Sequence, residues 1–128
     1  MSFRFKKHYT VEEARKLLPQ VRGWLNEIEP LRLRAVQHDQ RLQTLLADGA
    51  DIGGKTVGDS LRNTARLREV LREFQTREIE IKDLERGLID FPALKDGQEI
   101  FLCWEKDEED IEHWHSLDGG YAGRERLD

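Results

Sequence analysis

The chain has 128 residues, 37% of them charged and 38% hydrophobic, with a formal net charge of −5 and a single cysteine. That length is one domain, the acidic balance argues against a general nucleic-acid binder, and one cysteine excludes an intrachain disulfide and suits a reducing compartment. No stretch has a signal-peptide core or approaches the roughly 20 apolar residues of a membrane span, so a soluble cytoplasmic protein with no membrane partner is expected.

Ser2 to Tyr9 is short, basic and aromatic. The alternation of Phe3 and Phe5 suits a short strand or a packed arm. His8 precedes a helix, and a site role for it is the minor reading. Thr10-Val11-Glu12-Glu13 is a capping box, in which Thr10 and Glu13 satisfy each other's backbone N–H groups. A long helix follows. Ala14, Val21, Ile28, Ala35 and Leu42 recur every seven residues, beside Leu17, Trp24, Leu31, His38 and Leu45. Leu18, Leu25 and Leu46 widen the stripe, which reads as the packing seam of a helical hairpin or coiled coil. Pro19 should kink or split this helix, and Pro30 marks a second candidate break. His38 reads as a polar residue in the less apolar part of the seam, with a ligand reaching toward the sheet as the alternative.

Asp48 to Ser60, DGADIGGKTVGDS, is expected to be loop, because four glycines interrupt it. GADIGGKT matches the bare phosphate-loop pattern, but no strand precedes it and Asp48 and Asp51 would repel phosphate, so nucleotide binding is set aside. A second helix is expected from about Asp59 or Ser60 to Arg77. Leu61, Thr64, Leu67, Leu71 and Phe74 line one face, long enough to pack back antiparallel on helix one. Its arginines alternate with Glu69 and Glu73 and read as a solvated face.

Strands follow. Ile79-Glu80-Ile81-Lys82-Asp83 alternates with period two, and Gly87 opens the next strand. Asp96-Gly97 is a strong hairpin turn, because a type I′ turn needs positive φ at both central residues. That turn sets Leu94 opposite Glu99, Ala93 opposite Ile100, Phe91 opposite Leu102, Asp90 opposite Cys103 and Ile89 opposite Trp104. One face then collects Ile89, Phe91, Ala93, Ile100, Leu102 and Trp104, all apolar. Pro92, without an N–H, belongs where its strand is at an edge or has left the ladder. The other face carries Leu88, Asp90, Phe101, Cys103 and Glu105. A charged turn, Lys106 to Asp110, leads to a further strand at 111–115. If Trp114 joins the apolar face, His113 and His115 fall beside Asp90, Cys103 and Glu105. The end of the chain reads as a glycine-rich tail containing Arg124.

The fold class is therefore α+β: a long, kinked antiparallel helical hairpin, about 10–78, followed by a small antiparallel β-sheet, about 79–128. KDLERGLIDFPALKDGQEIFLCWEKDEEDIEHWHSLDGGYAGRERLD resembles the C-terminal signature of an uncharacterised bacterial family, domain of unknown function 2203, and TVEEARKLLPQVRGWL resembles its N-terminal part. Lys82, Asp83, Asp90, Glu105, His115 and Arg124 match that family's polar signature. The resemblance implies the fold and no mechanism.

Two functions are weighed. The preferred one is a noncatalytic interaction module that self-associates as a homo-oligomer, a dimer, through its helical seams. The alternative is a divalent-metal protein, in the limit a metal-dependent hydrolase. Asp90 and His115 would be core ligands, with His113, Glu105 and Cys103 as candidates for the remaining positions. Lys82, Asp83 and Arg124 would stand behind them or bind an anion. Imidazole and carboxylate suit Zn, Fe or Mn, and a thiolate favours zinc.

Overall fold

The computed structural model describes residues 2–49 and 54–128. Two helices are followed by an antiparallel sheet: α1 (Val11–Ala47), α2 (Gly54–Thr76), β1 (Glu80–Asp83), β2 (Leu88–Lys95), β3 (Gln98–Glu105), β4 (His113–Ser116) and β5 (Glu125–Arg126). The five strands lie in the order of the sequence. The chain forms two compact units, residues 1–23 with 74–128, and residues 24–73.

The sheet unit is built around the β2–β3 hairpin. Asp96 and Gly97 have φ of 52° and 80°, as the two-residue turn requires. The pairing runs from Lys95↔Gln98 to Leu88↔Glu105 in the expected register. Ile89, Phe91, Ala93, Ile100, Leu102 and Trp104 are all buried on one face. The first three turns of α1 lie over it with buried Ala14, Leu18 and Val21, and the Arg22 guanidinium stands 4.8 Å from the Trp104 ring. The capping box starts that helix as expected: Thr10 N–H donates to Glu13 and Glu13 N–H to Thr10 Oγ1.

Pro92 lies where β1 no longer flanks β2, as its missing N–H requires, and costs the ladder nothing. β1 begins at Glu80, opposite Asp90, so it stops short of Pro92. There the Pro92 carbonyl accepts from Tyr9 N–H at 2.7 Å. A residue's N and C=O point to the same side of a strand, so the missing N–H also faces away from β3.

The Asp90 face is buried as well: Leu88, Asp90, Pro92, Phe101 and Cys103 are all covered there. Residues remote in sequence cover it. Phe5, in an N-terminal arm with no strand, meets Phe101 edge-on at 5.4 Å. The glycine-rich tail folds into a 3-10 turn, Tyr121–Gly123, and then into β5, which pairs with β4. Two-residue β5 is too short to show a period in the sequence.

In the second unit, residues 24–47 of α1 and 54–73 of α2 form an antiparallel hairpin. Asn63 Nδ2 donates to the Leu31 carbonyl at 2.9 Å, and Arg66 pairs with Glu27 at 2.7 Å. α2 begins at Gly54, earlier than its expected start at Asp59 or Ser60. Lys55 and Arg62 both pair with Asp59 one turn away, which supports helix through a glycine-containing stretch. Gly54-Lys55-Thr56 is thus the first turn of a helix; the rest of the phosphate-loop pattern falls partly outside the described residues. α1 runs unbroken through Pro19 and Pro30. The carbonyls these prolines leave unbonded belong to Arg15 and Asn26, both exposed residues, so water can satisfy them. Among the described residues, no helix is long and apolar enough to cross a membrane.

Candidate functional site

The β3–β4 pairing sets Phe101 opposite His115, Leu102 opposite Trp114 and Cys103 opposite His113. Trp114 therefore shares the face of Leu102, and both histidines share the face of Asp90 and Cys103. Three central strands each contribute one side chain to a common point. Asp90 from β2, Cys103 from β3 and His115 from β4 place ligand atoms within 4.8 Å of one another. Their exposures are 1%, 0% and 2%.

Within this set, His115 Nε2 lies 3.0 Å from Asp90 Oδ2, and His115 Nδ1 lies 2.6 Å from the Ser116 carbonyl. The second oxygen, Asp90 Oδ1, is buried with no hydrogen-bond partner among the described residues. Burial pushes the Asp90 carboxyl above its ordinary value, while the charge and hydrogen bond of His115 oppose the rise. Burial, reinforced by the charge of Asp90, pushes the Cys103 thiol from 9.0 up to about 12. A thiol so placed stays protonated at neutral pH and is no nucleophile.

The other expected residues stand apart from this trio. Glu105 pairs with Arg86 at 2.8 Å. His113 turns toward Glu108, with Nδ1 3.5 Å from its carboxylate. Asp83 accepts from Arg86 N–H and so closes the turn before β2. Lys82 is the extra residue of a bulge between Ile81 and Asp83. Its ammonium pairs with Glu80 and stands 5.0 Å from the Phe101 ring. Arg124 forms a bidentate pair with Glu108 at 3.0 and 2.9 Å and approaches Cys103 Sγ at 4.0 Å. His8 bonds Glu99 at 2.9 Å, and His38 remains half-buried in the helical hairpin.

Glu108 and Glu99 carry roles that sequence reasoning missed. Glu108 holds Arg124, accepts from Glu105 N–H and faces His113. Glu99 accepts from the Arg4 and Phe5 amides and from His8, tying down the arm that roofs the site. Both are single carboxylates in strongly charged surroundings, and no local pattern separates them from solvated neighbours.

A family model described as an uncharacterised conserved protein, DUF2203, matches residues 7–127. The chain belongs to the DUF2203 family. The match spans the end of the arm, both helices and all five strands, so Asp90, Cys103 and His115 lie inside the DUF2203 region. No curated protein and no solved structure matches the chain.

Proposed function

We propose that this DUF2203 protein is a noncatalytic cytoplasmic module that self-associates as a dimer through its helical hairpin. The incomplete burial of residues 24–73 carries the reading. Among the described apolar residues there, only Ile28, Leu31 and Val70 are buried. Trp24, Leu25, Leu42, Leu45, Leu67 and Leu71 are half-buried, and Leu46 at the edge of the same stripe is 66% exposed. Two helices shield each other along one line only, and a bundle of four is needed to close such a stripe. A second copy of the chain supplies the missing pair. The hairpin flank mixes signs, with Arg66 between Glu27 and Glu69, so a twofold-related copy presents an acceptable surface. Leu33 and Val36 are exposed off the stripe and are ordinary surface residues.

The chemistry-bearing side chains agree with a noncatalytic role. Asp90, Cys103 and His115 offer almost no surface to a substrate, and the thiol is held protonated. Light scattering on the full chain at micromolar concentration tests the assembly: a dimer mass is expected, and a monomer would sink the proposal. Leu46→Glu costs a monomer little burial, so it should weaken the dimer at least about tenfold, or ~1.4 kcal/mol, at unchanged helical circular dichroism. A dimer indifferent to that change would move the interface off the hairpin.

A further inference from the structure

We infer that Asp90, Cys103 and His115 form a structural centre for one zinc ion, held inside the sheet unit. The inference stands apart from self-association, since every residue in it belongs to β2, β3 or β4.

Hydrogen-bond bookkeeping leads to it. The Ser116 carbonyl can only accept, so His115 Nδ1, at 2.6 Å, must be the donor nitrogen. In the neutral ring, Nε2 then carries a lone pair. That lone pair points at Asp90 Oδ2, 3.0 Å away, which in a carboxylate is also an acceptor. Two acceptors at that distance require a cation between them, either a proton or a metal ion. Asp90 Oδ1 has no partner among the described residues although the residue is 1% exposed. The Cys103 thiol also interacts with the Asp90 carboxylate, but it is a weak donor and does not reach Oδ1 within hydrogen-bond distance. A lone proton therefore leaves that oxygen without a strong partner, whereas a metal ion bound by the carboxylate gives its charge one.

The donor set selects the ion. One imidazole, one carboxylate and one thiol, with sulfur among them, suit zinc over magnesium, calcium or manganese. An Nδ1–H bonded to a backbone carbonyl is how metal-bound histidines are commonly oriented through Nε2. Tetrahedral donors about 2.0–2.3 Å from zinc sit about 3.5 Å apart, so a set already within 4.8 Å closes by small side-chain rotations. Binding releases the thiol proton and the proton between His115 and Asp90 to solvent. The ion's charge offsets the burial that otherwise holds the thiol protonated. Arg124 approaches Cys103 while its charge is already engaged by both oxygens of Glu108, which limits its competition with the ion. All three ligands are at 2% exposure or less, which shuts the ion off from substrate. The second oxygen of Asp90, unpartnered among the described residues, is the donor at hand to close its fourth position, as a structural centre requires.

The test uses full-length protein without a histidine tag, stripped of metal and titrated with Co²⁺ and, separately, Zn²⁺. One equivalent of Co²⁺ should give a near-ultraviolet thiolate charge-transfer band, and one equivalent of Zn²⁺ should raise the melting temperature. Cys103→Ser should abolish the band, and His115→Ala should weaken binding at least about 100-fold. If these variants fail to fold, the wild-type titration decides alone. A wild-type protein with neither a thiolate band nor a zinc-dependent melting shift overturns the centre. A band that survives in folded Cys103→Ser overturns it equally. None of these readouts depends on molecular mass, so failure of the dimer and failure of the centre are distinguishable.

Discussion

Glu99 shows how one carboxylate sets the environment of a site it does not touch. It accepts two backbone amides of the arm at 2.7 and 2.9 Å and holds His8 at 2.9 Å. Burial raises its pKa, but the bonds from His8, Arg4 and Phe5 outweigh that and leave it below the ordinary value of 4.5. A depressed folded-state pKa contributes stability above the unfolded value and loses it as pH falls through the folded one. The arm should therefore loosen first in mild acid. Glu99→Gln should speed hydrogen exchange at the Arg4 and Phe5 amides at pH 7, with the β2–β3 amides unchanged; equal protection in both proteins would refute the clamp. Cys103 runs the other way. Its thiol is raised from 9.0 to about 12, so its contribution is complete below pH 9 and is lost as pH rises toward 12. In metal-free protein, urea midpoints measured from pH 8 to 11 should fall less steeply for Cys103→Val than for wild type. Parallel curves would show that the buried thiol does not feel its surroundings as described.

Among the elements, the turns carry the strictest demands. Gly87 has φ of +65°, and a Cβ there would lie 2.7 Å from Lys106 Cβ. Left-handed backbone disfavours an L side chain, and the neighbour is the root of a side chain with little room to move. Gly87→Ala should cost about 1–3 kcal/mol, measured by urea unfolding. A loss below a few tenths would mean that the β2 entrance relaxes freely. The β3–β4 turn is held differently, by arginines from α1. Arg22 donates to the carbonyls of Lys106, Glu108 and Glu109, and Arg15 to that of Ile111. A helix that reads as an amphipathic seam thus also caps a turn more than 80 residues away in sequence.

For the whole molecule, the proposed dimer would tie stability to concentration. A state that only the folded chain can enter raises the melting temperature by mass action. The wild-type melting temperature should rise over a hundredfold increase in protein concentration, while that of Leu46→Glu should stay level. A concentration-independent wild-type value would argue for a stable folded monomer.

Local periodicity made much of this architecture readable. The Thr10–Glu13 box, the seven-residue stripe and the Asp96-Gly97 turn each act over a few residues, and the turn carries register outward to Asp90↔Cys103 without further information. The sequence leaves the facing of Trp114 conditional, and its pairing with Leu102 places it on the apolar side. What no local pattern holds is the roof over the Asp90 face. Phe5 and Arg124 arrive from opposite ends of the chain, and β5 exists because β4 offers an edge to pair with. For the same reason Glu105 and His113, on the right face by parity, are drawn off by Arg86 and Glu108, while Asp90, Cys103 and His115 converge and are buried. Strand alternation decides which side a residue points to. Burial and partnership depend on which remote segment covers that side, and that is settled only when the chain packs.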